Sequence, residues 1–206
     1  MMQIKRLPCG SYAANAYLVF DEHRDDCFLV DAGDDLNGIR KMIAESGKTP
    51  AAILLTHAHF DHTLAAQPLS EEWHIPVYLH EQDVEMLCDD DKNAHSLAPD
   101  TQLPTPHDLV PVPYGDTLSL CGADLRILHT PGHTKGSVCL YSPKDKIMFT
   151  GDTLFAEGFG RMDLYGGSMR AMLDSLKKLF AMPEDILVYS GHGDVSTIGR
   201  IRRRYA

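Results

Sequence analysis

The chain has 206 residues, 44% apolar and 23% charged, a globular composition that excludes disordered, fibrous and coiled-coil classes and leaves no room for two large modules. Lys and Arg total 19 against 29 Asp and Glu, and the formal charge of -10 repels phosphate backbones and anionic lipid heads, which argues against nucleic-acid and membrane partners. The same acidic chain carries 11 His, an excess that calls for a chemical reason.

In chain order, the N-terminal residues lack the unbroken apolar segment and small-residue cleavage site of a secretory signal, and no apolar run reaches the roughly 18 residues of a membrane span. A cytoplasmic protein is therefore expected. Short apolar runs at 16–20 and 27–30 read as strands, followed by a weak helix over 36–46 that ends at Gly47. Next come a strand at 51–55, a helix over 63–73 and a strand at 77–79. Residues 88–108 form a long polar stretch, and a loop of that length in a compact domain is commonly functional. Strand-length runs recur at 118–121, 125–128, 138–141, 147–149 and 186–189, most bounded by Gly, Pro, Asp or His. Between the last two, Met169, Met172, Leu173, Leu176, Leu179 and Phe180 recur at helical steps, with Ser168 as N-cap and Pro183 as stop. Arg200, Arg202, Arg203 and Arg204 read as the solvated face of a terminal helix. Many strands with few intervening helices predict two sheets covered on their outer faces by helices, in one domain over 1–206. The five cysteines are odd in number, scattered and free of any CxxC pair, as expected of reduced thiols in a cytosol.

The chemistry concentrates in Thr-His-Ala-His-Phe-Asp-His, which places His57, His59, Asp61 and His62 directly after the strand at 51–55. Alternate residues of an extended chain share a face, so His57 and His59 can point the same way; a helix starting near Asp61 presents Asp61 and His62 together in its first turn. Three further residues repeat one pattern, a potential ligand just past an apolar strand and beside a glycine: His133 in Thr-Pro-Gly-His, Asp152 in Thr-Gly-Asp and His192 in Ser-Gly-His-Gly. Ligand-bearing strand ends can converge on one edge of the sheets, where Asp152 can bridge two ions. Five His and two Asp make an N/O donor set that suits Zn2+, with Fe and Mn also matching.

His-x-His-x-Asp-His at 57–62, followed by His133, Asp152 and His192, resembles the metallo-β-lactamase-fold superfamily over nearly the whole chain. The resemblance implies an α+β fold, a four-layer αβ/βα sandwich of two mixed sheets flanked by helices. It also implies two metal ions: His57, His59 and His133 hold one, Asp61, His62 and His192 hold the other, and Asp152 bridges them. An Asp at position 152 is typical of glyoxalase II-like, lactonase and nuclease branches, whereas true β-lactamases usually carry a different ligand there, often Cys. Thr-Pro-Gly-His-Thr-x-Gly-Ser at 130–137, Thr-Gly-Asp-Thr-Leu-Phe at 150–155 and Gly-Arg-Met-Asp-Leu at 160–164 resemble the short glyoxalase II-like hydrolases. Full-length glyoxalase II adds a C-terminal helical domain that helps hold glutathione, and carries Lys and Tyr near the places of Arg161 and Asp163.

The expected activity is hydrolysis of a small-molecule thioester, S-lactoylglutathione or a related acylated thiol, by a metal-bridging hydroxide that Asp61 orients. Arg161 is the candidate contact for a substrate carboxylate, with pairing to Asp163 as the structural alternative. The alternative activities within the resemblance are a mononuclear Fe(II) persulfide dioxygenase, which would use His57, His133 and Asp152, and a lactonase. Of the remaining histidines, His129 stands nearest in sequence to a ligand and is expected behind the site.

Overall fold

The computed structural model describes residues 2–205. The first sheet has the order β1 (Met2–Cys9), β2 (Ala14–Asp21), β3 (Asp26–Val30), β4 (Thr49–Leu54), β5 (Val77–Leu79), β6 (Val112–Pro113). Its first three strands are antiparallel and β3 to β6 run parallel. The second sheet contains β7 (Thr117–Leu120), β8 (Ala123–His129), β9 (Val138–Ser142), β10 (Ile147–Gly151), β11 (Leu187–Ser190) and β12 (Ser196–Thr197), in the order β12-β11-β10-β9-β8-β7. Only its β10–β11 pair is parallel. The helices are α1 (Leu36–Ala44), α2 (Phe60–Thr63), α3 (Ala66–Trp73), α4 (Met169–Phe180) and α5 (Ile198–Arg202).

The strands read as unbroken apolar runs because both faces of each sheet are covered. In β3, Phe28 and Val30 pack into the layer between the sheets with Leu125, Leu140 and Phe149. Cys27 and Leu29 point the other way, onto Ile39 and Ile43 of α1 and Leu69 of α3. Across the molecule, Met148 and Val188 turn outward against Met172, Leu176 and Leu179 of α4. The result is the α+β sandwich expected from the sequence: two mixed sheets face to face, each with helices on its outer side.

All nine apolar runs lie in strands, within a few residues of the expected bounds. Three strands are additional. β1 exposes Lys5 and Arg6 and has no clear alternation; it is held by pairing with β2 along its whole length, from Met2↔Asp21 to Cys9↔Ala14. The other two, β6 and β12, have two residues each, too short for any local pattern. The helix expected over 63–73 begins earlier and is interrupted, as α2 and α3. Pro68 sits in the first turn of α3, where a missing N–H costs no intrahelical bond.

Helix α4 begins where Ser168 accepts a bond at its side chain from the N–H of Ala171, 3.3 Å away. Ser168→Ala is expected to lower the unfolding free energy by about 1 kcal/mol in urea denaturation. An unchanged unfolding curve would remove the capping role.

The long stretch 88–108 contains no strand or α-helix, only a 3-10 turn at His95–Leu97, yet it is pinned in place. The Asp34 carboxylate accepts the N–H groups of Gln102 and Leu103 at 2.8 and 3.0 Å. The His95 ring lies 2.6 Å from both Thr101 Oγ1 and Thr105 Oγ1 and stacks on Phe60 at 5.5 Å. No helix among the described residues is long and apolar enough to cross a membrane.

Candidate metal centre

The seven sequence-predicted ligands meet at one edge of the sandwich, just beyond the C-terminal ends of four strands. His57 and His59 follow β4, and α2 then starts with His59 as its extended N-cap, so Asp61 and His62 emerge from its first turn. His133 follows β8, Asp152 follows β10 and His192 follows β11. The two sheets are tied together here: Asn15 donates from its backbone to the Gly191 carbonyl (2.7 Å) and from its side chain to the Ser190 and Gly193 carbonyls, and the Tyr17 hydroxyl donates to Ser190 (2.7 Å). Two of the glycines flanking ligands are sterically required. Gly151 has φ +46, and a Cβ there would lie 2.4 Å from Thr56 Oγ1; a Cβ at Gly191 would lie 2.2 Å from Asp152 Oδ1.

Three groups of potential ligand atoms form: His57, His59, His133; His57, His62, Asp152; and Asp61, His62, His192. Asp152 touches both outer groups. Its Oδ1 lies 3.4 Å from His62 Nε2, and its Oδ2 lies 3.5 Å from both His133 Nε2 and His192 Nε2. His192 Nε2 is 3.3 Å from Asp61 Oδ2 and 3.4 Å from His62 Nε2. Donors held about 2.0–2.1 Å from a tetrahedral ion are about 3.3–3.4 Å from one another, so these spacings are those of a ligand shell. His59 Nδ1 and His133 Nε2 are closer, at 2.7 Å. His57 Nε2 and Asp152 Oδ1 are buried without a hydrogen-bond partner, a costly arrangement for polar atoms unless a cation is their partner. The residues therefore fit a metal centre.

The ring nitrogens facing away from the centre are held by hydrogen bonds that sequence reasoning missed. Asp31, just past β3 and 2% exposed, accepts the Thr56 N–H at Oδ1 (2.8 Å). At Oδ2 it accepts the Thr56 hydroxyl and His62 Nδ1, each at 2.8 Å. With its proton given to Asp31, Thr56 Oγ1 offers a lone pair to His57 Nδ1 at 3.0 Å. His133 Nδ1 donates to the Arg161 carbonyl at 2.7 Å. This network assigns the proton of His57, His62 and His133 to Nδ1 and leaves each Nε2 lone pair aimed inward, the form a metal ligand requires.

The electrostatics hold His57 and His59 neutral and treat His62 differently. Burial pushes His57 well below the usual imidazole range and His59 down to about 3, with neighbouring imidazoles adding to the effect, so both stay neutral. Burial also acts on His62, but Asp31, Asp61 and Asp152 outweigh it and push this ring well upward. Burial raises Asp152, and the surrounding His62, His133 and His192 override it to hold the carboxyl well below its usual range. Carboxylates here stabilise positive charge, whether it is a proton on His62 or a cation between the ligands.

Above the ligands lies a cleft of about 380 Å³, with Phe60, Ala94, Leu97, Ala98 and Leu164 among its walls and Tyr12 and Arg161 at its margin. The 88–108 stretch thus borders the site, as its length suggested. The Arg161 guanidinium makes two bonds to Asp163, Nε to Oδ1 and Nη2 to Oδ2, both 2.7 Å. Tyr165 lies outside the pocket, bonded to Glu85 and beneath Lys135. His129 is exposed, bonded to the Lys135 carbonyl and stacked on His80, so it does not support a ligand.

The family model of the metallo-beta-lactamase superfamily matches residues 10–192. The chain is similar to a probable metallo-hydrolase, YqgX, of Bacillus subtilis (strain 168), with 40% identity over 93% of this chain and 90% of that protein. It is 30% identical to hydroxyacylglutathione hydrolase GloC of Haemophilus influenzae, over 98% of this chain and 96% of that one. Among solved structures it resembles TTHA1623 in a di-iron-bound form (TM-score 0.87, 37% identity, 97% of each chain). It resembles equally the BLEG-1 B3 metallo-beta-lactamase (TM-score 0.87, 35% identity, 96% of this chain and 95% of that one). With its ligand-bearing strand ends, its two helix-flanked sheets and a family match that spans them, this chain belongs to the metallo-beta-lactamase superfamily.

Proposed function

We propose that the chain is a dinuclear metal-dependent hydrolase of small-molecule thioesters, of the glyoxalase II type. The observation that carries this reading is Asp152, whose carboxylate lies within 3.5 Å of donors in both ligand groups and so can serve two cations at once. In this reading His57, His59 and His133 hold one ion, Asp61, His62 and His192 hold the other, and Asp152 is shared. Zn2+ suits the five-nitrogen, two-carboxylate donor set, and the di-iron-bound form of TTHA1623 supports iron as the other occupant. When bound, two such cations polarise the acyl carbonyl and lower the pKa of a water they share toward neutrality.

The chain's own residues supply the rest. Asp61 lines the cleft beside His192, where its carboxylate would accept a hydrogen bond from the attacking water and fix the direction of attack. Every carboxylate and imidazole among the described residues lining the cleft belongs to the ligand groups, so no separate carboxylic acid or imidazolium stands by the leaving group, and Tyr12 is the one phenol there. A thiolate departs without protonation, whereas an amide nitrogen needs a proton as the C–N bond breaks; the cleft is thus suited to thioesters. The similarity to GloC supports the same substrate class. The five free thiols, four of them buried, accord with a reducing cytoplasm.

Arg161 spends Nε and Nη2 on Asp163 and keeps Nη1 for a substrate carboxylate at the margin of the cleft. Arg161→Ala is expected to raise KM about fivefold to tenfold for carboxylate-bearing thioesters and less than about twofold for neutral ones. An equal effect on both would leave Arg161 only its loop contact with Asp163. The reading as a whole is tested by a panel of thioester, lactone, β-lactam and persulfide substrates, with metal content measured in the same sample. Thioester turnover above the others is expected. Faster β-lactam hydrolysis, or one iron per chain with oxygen uptake on a persulfide, would overturn it.

A further inference from the structure

Asp83 is a fully buried carboxylate that belongs to neither ligand group. It lies at 0% exposure in a 3-10 turn, Glu81–Met86, which follows β5. Three hydrogen bonds converge on it. Oδ1 accepts the Gly136 N–H at 2.6 Å; Oδ2 accepts the Thr134 hydroxyl at 2.7 Å and the Ala58 N–H at 3.2 Å. The Thr134 hydroxyl is aimed by its surroundings: Ser137 Oγ lies 2.7 Å from Thr134 Oγ1 and also accepts the Thr134 N–H at 3.1 Å. The fit is close enough that a Cβ on Gly136 would lie 2.7 Å from Asp83 Cγ and Oδ1, so a larger residue there would displace the carboxylate.

The destinations of these bonds are selective. Ala58 stands between His57 and His59, and Thr134 follows His133; Gly136 closes the same short loop between β8 and β9. All three contacts therefore land beside His57, His59 and His133, on one segment from each sheet; the first segment continues into Asp61 and His62, where His62 is held separately by Asp31. None lands on the turn carrying His192, which is held separately by Asn15.

On the two-cation reading above, we infer that Asp83 is a positioning residue that sets the cation affinity of the His57, His59 and His133 group without governing that of the Asp61, His62 and His192 group. A carboxylate clamped by three donors fixes two loops of different sheets at one separation, so the three nitrogens are gathered before a cation arrives. Without the clamp, the cation must order both loops itself, and that cost appears as lost affinity in one group.

Zinc alone is the probe, with stoichiometry and competition against a chromophoric chelator as readouts and urea unfolding of the metal-stripped proteins alongside. Asp83→Ala is expected to weaken one of two zinc ions about 10-fold to 100-fold while the other stays within about twofold. Thr134→Val keeps the side-chain shape and deletes one donor; it should weaken the same ion about fivefold, with unfolding close to wild type, and it carries the test if Asp83→Ala does not fold. Asp83→Asn, which can accept at only one oxygen, should fall between wild type and Asp83→Ala. Unchanged zinc affinity in Thr134→Val and Asp83→Asn, or equal loss of both ions, would overturn the assignment. Wild-type protein that holds a single zinc fails the two-cation reading itself; Asp83 is then judged on that ion, where about tenfold weaker binding upholds its role and unchanged binding overturns it.

Discussion

Asp152→Ala is expected to reduce bound metal from two ions per chain to one and to lower thioester turnover at least about 10³-fold, while the far-UV spectrum and cooperative unfolding persist. The rate follows from geometry: Asp152 lies beside His62, His133 and His192, and without it two cations would share no carboxylate of the chain and their mutual repulsion would be offset less. Several kcal/mol of carbonyl polarisation and water activation depend on the pair, and about 4 kcal/mol corresponds to a thousandfold in rate. The fold survives because Asp152 sits in the loop beyond β10, outside the apolar clusters that join the layers. Metal analysis and steady-state kinetics on one preparation check both parts. Two ions and near wild-type turnover would contradict the shared-ligand role.

Asp31 is expected to show the second large effect, and two substitutions separate its roles. Asp31→Ala leaves the Thr56 N–H, the Thr56 hydroxyl and His62 Nδ1 without an acceptor in a buried place, which costs about 3–5 kcal/mol of stability. It also puts Ala at φ +57, a left-handed conformation that Asp tolerates better. Asp31→Asn keeps the size of the side chain but can accept at only one position. With its amide nitrogen turned toward His62, the ring must carry its proton on Nε2, the nitrogen that faces Asp152 and His192. The expected outcome is a folded protein whose Asp61, His62 and His192 group has lost about 10-fold to 100-fold in zinc affinity. Chelator competition measures it, and unchanged affinity would show that Asp31 does not set the tautomer.

The candidate ligands are legible in the sequence because a metal site would concentrate an infrequent residue type and place it at strand ends. His57 to His62 follow an apolar run directly, and His133, Asp152 and His192 each follow a run and a glycine. The groups behind them were not legible. Asp31 and Asp83 look like ordinary polar residues after a strand, and each acquires its role from partners far along the chain: His62 for Asp31, and Thr134 and Gly136 for Asp83. The bond from His133 ends on the backbone carbonyl of Arg161, an acceptor that every residue possesses and no side-chain pattern reveals. His129 shows the converse: nearness in sequence to His133 suggested a supporting role, but strand β8 directs its ring outward onto His80. The layered fold was legible from strand count and helix spacing, whereas β1 was not, because an edge strand held by one long antiparallel pairing requires no apolar alternation of its own.

The most direct test of the central claim is a titration of the metal-stripped protein with zinc, following thioester hydrolysis against equivalents added. Activity that rises to a plateau at two equivalents per chain is the predicted result. Full activity at one equivalent, or in the stripped protein, would contradict a reaction that depends on two cations joined by Asp152.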